Sequence, residues 1–441
     1  MLGIVRGRSS RARCARPREG SRFCVTGPLC RWHGRSRVSA PCPGQTLSVA
    51  VLGAGHGGLA LAGYLSRAGH RVALWNRSAH RTGAVAVLGG VCLTMPGSAA
   101  AVEQIAVATD DMAAVLSNAS VVLVAVPASA HADVARRCGR YLRDGQTVLL
   151  LPGRTGGALA FLRVLRECGY RADIVLGEAS SFPCAARTIA PAEAVIHGVK
   201  AELLAAAVPA LQTEELVTRC RAVLPALTPA RSVLHTGLSN VGAILHPTIA
   251  LLNADRITSG ETFDFYTEGV TRRVAHVLAA ADEERLRIAD AYGEQVQSLT
   301  SWIDSAYGHR ADTLERAVAG NPAYKGIRAP STIHHRYLLE DVPTGLIPLI
   351  ELGAAARLAV PTLRFLVARA ESALGMNLHE EARSLASLGL NGHSVAGIRS
   401  VVGSGFTRQS RRPAKSVVRF RRRNGFDGVL ASGSQKTRVV A

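Results

Sequence analysis

The stretch Gly53-Ala54-Gly55-His56-Gly57-Gly58 decides the fold of this chain. It follows the apolar run Leu47–Leu52, which is typical of a buried parallel strand, and it precedes an apolar helical pattern. A strand, a G-x-G-x-x-G turn and a helix in this order are the context in which the motif binds a dinucleotide. The glycines allow a tight turn, a close approach of the backbone to a pyrophosphate, and close packing of the helix on the strand. We therefore predict a Rossmann-type domain with Gly53, Gly55, His56, Gly57 and Gly58 in the cofactor site.

The residues after the second predicted strand, Val72–Trp75, indicate which nicotinamide cofactor is bound. They are Asn76-Arg77-Ser78, and no carboxylate appears before Glu103. An Asp or Glu at this point would accept hydrogen bonds from the ribose 2′-OH of NAD, whereas a guanidinium suits the 2′-phosphate of NADP. We predict that Asn76 and Arg77 bind the cofactor and that NADP is preferred, with NAD left open.

The basic residues are concentrated at the two ends of the chain. Of the formal net charge of +20, residues 1–45 carry +9 and residues 392–441 carry +10, so the body is nearly neutral. This composition predicts a disordered basic leader over 1–45 and a disordered basic tail over 392–441. Few aromatics accompany these charges, so nucleic acid would bind there only weakly, if at all. The leader either mimics an organelle transit peptide or reflects a misassigned start, with initiation near Val38.

The body is long enough for two domains. Over residues 46–232, apolar strand runs alternate with helical patterns, which predicts a dinucleotide-binding domain built on a parallel sheet. Over residues 233–391, long helical patterns dominate and predict an all-helical substrate domain. The predicted fold class is therefore α/β, with a Rossmann-type domain followed by a helical domain and flanked by disordered tails.

Two predicted strands stop at prolines, Pro127 and Pro152, and small or polar residues follow each of them. Ligands of open parallel sheets bind beyond the carboxyl ends of the strands. We therefore predict that these loops line the cofactor cleft, with Pro127 and Thr155 as contact residues.

Cysteine usage and hydropathy bear on the cellular compartment. The chain has nine cysteines, an odd number, and the four in the leader have spacings unlike those of common zinc motifs, so no metal site is predicted. The other five lie mostly in apolar surroundings, which is typical of free thiols in a reducing cytosol. No apolar run of membrane-spanning length occurs. We predict a cytoplasmic protein that does not contact the membrane.

Two polar clusters interrupt the helical patterns of the second domain. They are Ser239–Pro247 and His334–Gly345, and between them they offer histidine, arginine and carboxylate side chains. These residue types suit carbonyl reduction, which needs a proton donor near neutral pH, an anchor for a substrate carboxylate and an acid that orients the imidazole.

Residues 47–391 resemble the octopine/nopaline dehydrogenase family of opine dehydrogenases. The motifs that carry the resemblance are Gly53–Gly58, Trp75-Asn76-Arg77-Ser78, Val126-Pro127-Ala128, Pro152-Gly153-Arg154-Thr155-Gly156-Gly157, Gly198-Val199-Lys200, Asn240 with Leu245-His246-Pro247, Asn321-Pro322-Ala323-Tyr324, and His335-Arg336-Tyr337 with Glu340-Asp341-Val342-Pro343. The block around His246 and the block that runs from Arg336 to Pro343 are more specific than the glycine motif.

The resemblance implies an active site between the two domains and a reductive condensation of an amino acid with a 2-oxo acid. An imine of the two substrates would take hydride from NAD(P)H. The family's catalytic histidine falls on His246, its partner aspartate on Asp341 and its carboxylate-binding arginine on Arg336, with Asn240 also in the substrate site. The implied partners are these small molecules, whereas the oligomeric state and the identity of the amino acid are left open.

Two other functions remain open at this point. The first is a 2-oxo- or 3-hydroxyacid reductase related to the ketopantoate and glycerol-3-phosphate enzymes, which rely on a catalytic lysine in the second domain. Lys325 is the only lysine between residues 232 and 391, which argues against that function. The second is a non-catalytic NADP-binding regulator that holds nucleic acid through its tails.

Overall fold

The structure, a computed structural model, describes residues 46–404. Within this range, twelve strands form two sheets. The strands are β1 (Ser48–Leu52), β2 (Arg71–Trp75), β3 (Gly90–Met95), β4 (Ser98–Gln104), β5 (Val107–Thr109), β6 (Val121–Val124), β7 (Thr147–Leu150), β8 (Val175–Ala179), β9 (Cys184–Ala190), β10 (Glu193–Val199), β11 (Leu203–Ala207) and β12 (Leu227–Pro229).

The larger sheet has the strand order β12-β11-β8-β7-β6-β1-β2-β5. Its pairs are parallel except for β8 with β11, which is antiparallel. The chain continues from β1 to β2 and β5 on one side, and then returns to β6, β7 and β8 on the other. The strand order therefore reverses at β1, which is where open α/β sheets form their ligand crevice. The smaller sheet, in the order β4-β3-β10-β9, packs against the first helix.

Helices cover both faces of the large sheet. Those of the first domain are α1 (His56–Arg67), α2 (Ala79–Leu88), α3 (Met112–Leu116), α4 (His131–Cys138), α5 (Gly157–Glu167) and α6 (Thr213–Cys220). Leu59 and Leu65 of α1 are buried on one face, and Phe161 of α5 is buried on the other. Burial on both faces explains why β6 reads as the unbroken apolar run Val121–Val124.

The chain turns from sheet to helices after β12. The helices that follow are α7 (Val233–Leu238), α8 (Gly242–Leu252), α9 (Ala254–Thr258), α10 (Arg272–Ala291), α11 (Leu299–Tyr307), α12 (Leu314–Ala319), α13 (Arg336–Leu339), α14 (Ile347–Ala355), α15 (Pro361–Leu374) and α16 (Val395–Ser404), with a π-helical segment at Val342–Leu346. Their apolar sides form one core that includes Leu278, Leu349 and Leu366. The predicted α/β fold class is confirmed.

The prediction of a disordered tail from residue 392 is wrong over its first part. Val395–Ser404 forms α16, because Ile398 and Val402, four residues apart, are both buried. The predicted leader, residues 1–45, and the remainder of the predicted tail, residues 405–441, lie outside the described residues. Within the described range, none of the helices is both long enough and apolar enough to cross a bilayer.

The glycine-rich turn supplies a test of the packing of α1. A Cβ atom on Gly58 would come 1.8 Å from the carbonyl oxygen of Gly53, which is backbone and cannot swing away. We expect Gly58→Ala to lower the free energy of unfolding by about 1–3 kcal/mol or more, as overpacking does. Gly83→Ala is the matched control, because Gly83 lies inside α2 with open space around it. That change should stabilise by about 0.5–1 kcal/mol. Urea unfolding of both variants checks this, and equal stabilities would contradict it.

Candidate active site

A cavity of about 570 Å³ lies beyond the carboxyl ends of β1, β6, β7 and β8, where the two domains meet. The first domain contributes the glycine-rich turn and the loops around Pro127, Arg154 and Phe182, and the second contributes Asn240 and His246 together with several aromatic rings. This is the strand edge that the sequence predicts to hold the cofactor. Of the predicted site residues, those on its wall are Gly55, His56, Gly57, Pro127, Asn240, His246 and Arg336.

The glycine-rich turn fits a dinucleotide pyrophosphate. Gly53 has a φ of +117°, and a Cβ there would meet the carbonyl oxygen of Ala125 at 2.5 Å. Gly55 has open space where its side chain would be, and α1 begins immediately after it, at His56. The first N–H groups of a helix and its dipole favour phosphate. Asn76 holds the turn in place, because its Oδ1 accepts a hydrogen bond of 3.0 Å from the Ala54 N–H.

Three arginines surround the start of α1. Burial lowers the pKa of His56, and the charges of Arg187, Arg81 and Arg336 lower it further. The Nδ1 atom of His56 accepts a hydrogen bond of 2.9 Å from the Thr188 N–H, which fits a neutral imidazole. Positive charge therefore collects where the phosphates of a dinucleotide would lie.

His246, on the wall that the second domain contributes, meets Asp341, which is buried behind it. His246 Nδ1 lies 2.8 Å from Asp341 Oδ2, although 95 residues separate them in the sequence. α8 carries the histidine, and the aspartate lies immediately before the π-helical segment. Tyr337 stacks on the imidazole with its ring centroid 4.7 Å away. Because Asp341 engages Nδ1, Nε2 is the ring nitrogen left to exchange a proton with a substrate.

A buried guanidinium, that of Arg154, links this pair to the first domain. Arg154 Nη1 lies 3.1 Å from Asp341 Oδ1, and Arg154 Nε lies 3.5 Å from Glu340 Oε1. The other oxygen of Glu340 is 2.9 Å from Arg336 Nη2. Burial alone would raise the pKa of Asp341, but the charges of Arg154 and His246 hold it below its ordinary value. Asp341, Arg154, Glu340 and Arg336 therefore form a chain of alternating charge beside His246.

The predicted contact residues differ in how the structure uses them. Asn240 is buried, and its Oδ1 accepts a hydrogen bond of 3.4 Å from Arg154 Nη1, while its Nδ2 has no partner among the described residues. Thr155 is buried but faces the helical domain, where its hydroxyl donates to the Gly237 carbonyl at 3.3 Å. Arg77 is 67% exposed and lies 3.7 Å from Asp133, outside the cavity wall. The structure therefore does not bring Thr155 or Arg77 to the cavity.

A second buried arginine, Arg383, binds the loops that follow β6 and β7 through hydrogen bonds. Its guanidinium donates to the carbonyls of Ala128, Gly153 and Thr155, at 3.1, 2.6 and 3.3 Å. These carbonyls belong to the loops that follow β6 and β7. Nearby, burial raises the pKa of Glu178 to about 7. One side chain from the C-terminal part of the described chain thus fixes two loops of the first domain.

The sequence analysis placed Arg154, Glu340 and Lys200 in motifs of the family resemblance without assigning them a role, and it missed Arg383. Arg154, Glu340 and Lys200 line the cavity, and Arg383 lies beneath it. The sequence offered one signal for Arg154, because it lies in the loop that follows a strand, as Pro152 does. No local pattern marks Arg383, whose partners lie about 230 or more residues earlier in the chain. Across residues 46–404, no group of three or more metal-binding side chains is arranged to hold a metal ion.

Comparisons with known proteins agree with this geometry. The family described as NAD/NADP octopine/nopaline dehydrogenase, alpha-helical domain, matches residues 229–374, and the NAD-dependent glycerol-3-phosphate dehydrogenase N-terminus matches residues 48–153. The opine dehydrogenase of Arthrobacter sp. strain 1C is 37% identical over 81% of this chain and 99% of its own length. Protein ocs of Agrobacterium vitis is 30% identical over 79% and 97%. A structure of octopine dehydrogenase with NADH and L-arginine superposes with a TM-score of 0.69 at 22% identity, over 81% and 98% of the two chains.

Together with the fold, the family match and the Arthrobacter relative identify an NAD(P)-dependent oxidoreductase that acts on CH–NH donors. Its reaction is the NAD(P)H-dependent reductive condensation of an amino acid with a 2-oxo acid. The chain belongs to the octopine/nopaline dehydrogenase family, because a relative more than 30% identical aligns over nearly its whole length. The predicted family is thereby confirmed.

Proposed function

We propose that His246 is the acid–base group of this condensation and that Asp341, Arg336 and Asn240 assist it. The observation that carries the proposal is the 2.8 Å pair of His246 and Asp341 on the wall of a cavity that also contains the glycine-rich turn. Asp341 fixes the imidazole and stabilises its protonated form. Arg336 binds the carboxylate of the 2-oxo acid, and Asn240 offers its unpartnered Nδ2 to a substrate oxygen.

The chemistry divides into two steps. The amine nitrogen attacks the carbonyl carbon, and loss of water leaves a C=N bond. That bond then gains a hydride at carbon and a proton at nitrogen. The reduced nicotinamide supplies the hydride when it is bound. His246 moves protons at the reacting nitrogen and at the departing oxygen through Nε2, because Asp341 occupies Nδ1.

NADP is the proposed preferred cofactor, with Arg77 and Arg81 as its 2′-phosphate ligands. Arg81 lines the cavity. Arg77 is exposed, and binding a 2′-phosphate would cost it only a weak surface ion pair with Asp133. We expect Arg77→Ala to weaken NADPH binding by about tenfold, the lower end of the 1.5–3 kcal/mol for a hydrogen bond to a charged group. NADH binding should be unchanged. Arg369→Ala on α15 is the control, and fluorescence titration is the measurement. Equal or tighter binding of NADH by the wild type would contradict the preference.

A substrate screen tests the function itself. Amino acids are supplied in turn with pyruvate, 2-oxoglutarate or glyoxylate, and loss of NADPH is followed together with formation of the secondary amine. Turnover that requires both substrates supports the proposal. Reduction of a 2-oxo acid without any amine would favour the ketopantoate-type alternative instead. Cofactor binding with no turnover and with salt-sensitive retention of DNA would favour the regulator.

The ketopantoate-type alternative lacks support from the helical domain. Lys325 lies on the surface, and among residues 46–404 the only other lysine, Lys200, comes from the first domain. A ketopantoate reductase from Ralstonia eutropha superposes with a TM-score of 0.52 at 20% identity, which bears on the fold alone.

We further propose a cytoplasmic location, with nucleic acid bound at most weakly through the basic ends. The five cysteines of the described residues are all unpaired, in keeping with a reducing compartment. Tight, sequence-selective retention of DNA by the nuclease-treated protein at physiological salt would contradict the weak binding.

A further inference from the structure

Lys200 is a half-buried ammonium on the wall of the active-site cavity that the proposed mechanism does not use. It follows the end of β10, and its backbone N–H donates to the Pro183 carbonyl at 2.9 Å. Its Nζ donates to Ser181 Oγ at 2.6 Å. No carboxylate among the described residues pairs with it, although the cavity wall is crowded with charge. An unpaired cation in such a place needs an anion.

The cations of the cavity outnumber its carboxylates, so an added anion would find an unneutralised positive charge there. Among the described residues, the cations that line the cavity are Arg81, Arg154, Arg187, Lys200 and Arg336, whereas the one carboxylate that lines it is Glu340, with Asp341 buried behind the wall. Arg154 already pairs with both carboxylates, and Arg336 already pairs with Glu340. The cavity therefore has a clear excess of positive charge, which a phosphorylated cofactor and substrate carboxylates would neutralise.

Burial distinguishes Lys200 from the other cavity cations that lack a carboxylate partner among the described residues. Arg81 and Arg187 are exposed, whereas Lys200 is half-buried and its Nζ lies 2.6 Å from Ser181 Oγ. Burial lowers the pKa of Lys200 to about 8, so the side chain is still mostly protonated at neutral pH. An anion enclosed in the cavity, as a substrate carboxylate would be, therefore suits Lys200 better than the two exposed arginines.

We propose that Lys200 Nζ binds the α-carboxylate of the amino-acid substrate. The inference rests on the proposed function. Joining an amino acid to a 2-oxo acid gives a product with two carboxylates, and these need two cationic anchors. With Arg336 on the carboxylate of the 2-oxo acid, Lys200 is the cavity cation of the described residues that is both half-buried and without a carboxylate partner. Two fixed anchors would hold the amine nitrogen and the carbonyl carbon at reacting distance.

The test compares an amino acid with the amine that lacks its carboxylate. The amino acid is the best substrate found in the screen, and the amine is its decarboxylated form. Lys200→Met keeps the length of the side chain and removes its charge. We expect the KM for the amino acid to rise about 10–100-fold, as loss of a charge-assisted hydrogen bond implies. The KM values for the amine, for pyruvate and for NADPH should change less than about twofold, because none of them offers an amino-acid α-carboxylate to Lys200. Lys200→Arg should restore part of the loss.

Lys325→Met is the matched control, because Lys325 is the other lysine of the described residues and is exposed. NADPH titration of each variant checks that the first domain is folded. An unchanged KM for the amino acid in Lys200→Met, beside an active wild type, would overturn the assignment of Lys200 alone. A raised KM for NADPH or for pyruvate instead would overturn it too, as would a large loss of kcat with unchanged KM values. A wild type without amine-dependent turnover would instead contradict the proposed function.

Discussion

Replacing His246 with alanine is expected to lower kcat by a factor of about 10²–10⁴, the usual size of general acid–base catalysis. The cavity places the imidazole opposite the glycine-rich turn, and its Nδ1 is held 2.8 Å from Asp341. Without it, the group that the proposed function assigns to protonate the new amine is lost. NADPH affinity should be retained, because the glycine-rich turn belongs to the first domain and His246 to the second. Stopped-flow reduction and NADPH titration measure the two quantities separately.

Asp341→Asn provides the companion measurement. It keeps the imidazole but removes the charge that favours its protonated form, so the pH–rate profile should shift toward lower pH and kcat should fall less than in His246→Ala. A His246→Ala variant that keeps more than about a tenth of the wild-type kcat would be inconsistent with general acid–base catalysis by this residue.

Replacing Arg154 with methionine should be among the most destabilising single changes to the site. Arg154 is 9% exposed and faces both Glu340 and Asp341. Its removal leaves two buried carboxylates with one fewer cation, and breaking a buried pair in this way costs about 3–5 kcal/mol. Arg316→Met is the matched control, because its pairing with Asp312 is exposed, and it should change stability by less than about 0.5 kcal/mol.

The pH dependence of that loss has a definite sign. In the wild type, the pKa of Asp341 lies below its ordinary value, so its contribution to stability is present above the ordinary carboxylate range and is lost only in acid. Arg154 does the most to lower that pKa, so the pKa rises when Arg154 is removed, and Asp341 then contributes less stability at high pH. The difference between variant and wild type should therefore be larger at about pH 8 than at about pH 5. Urea unfolding at both pH values measures it, and a difference that grows in acid would contradict the assigned charges.

The cofactor half of the molecule was predictable because its signals are local. The glycine motif, the apolar strands and the prolines that end them lie within short stretches, and each has a direct steric or burial reason. The pairing of His246 with Asp341 was reached only through the family resemblance, since spacing alone does not join residues 95 positions apart. The helix at Val395–Ser404 was missed because the basic, glycine-containing composition of residues 392–441 predicted disorder. The helical signal was limited to apolar residues one turn apart, of which Ile398 and Val402 are buried.

The roles of the arginines were not predictable from the sequence. The chain has 52 lysines and arginines, and nothing local separates one that neutralises buried carboxylates from one that faces solvent. Arg154 has a φ of +62°, and Gly156 a φ of +71°. This left-handed backbone turns Arg154 toward the cavity and Thr155 toward the helical domain, opposite to the contact predicted for Thr155. Backbone conformation of this kind depends on tertiary contacts such as the Thr344 carbonyl, which accepts from the Thr155 N–H.

The hydrogen bonds of Arg383 have a consequence for how the protein is made. The loops after β6 and β7 can receive these hydrogen bonds only after a guanidinium encoded some 230 residues later has been synthesised. During synthesis, the sheet and α1 can form as soon as they leave the ribosome, but the wall of the cavity cannot be completed until the chain is almost finished. Dinucleotide binding is thus a property of the completed chain rather than of the segment that bears the glycine motif. A fragment that stops before the helical domain would keep the motif and still bind the cofactor poorly.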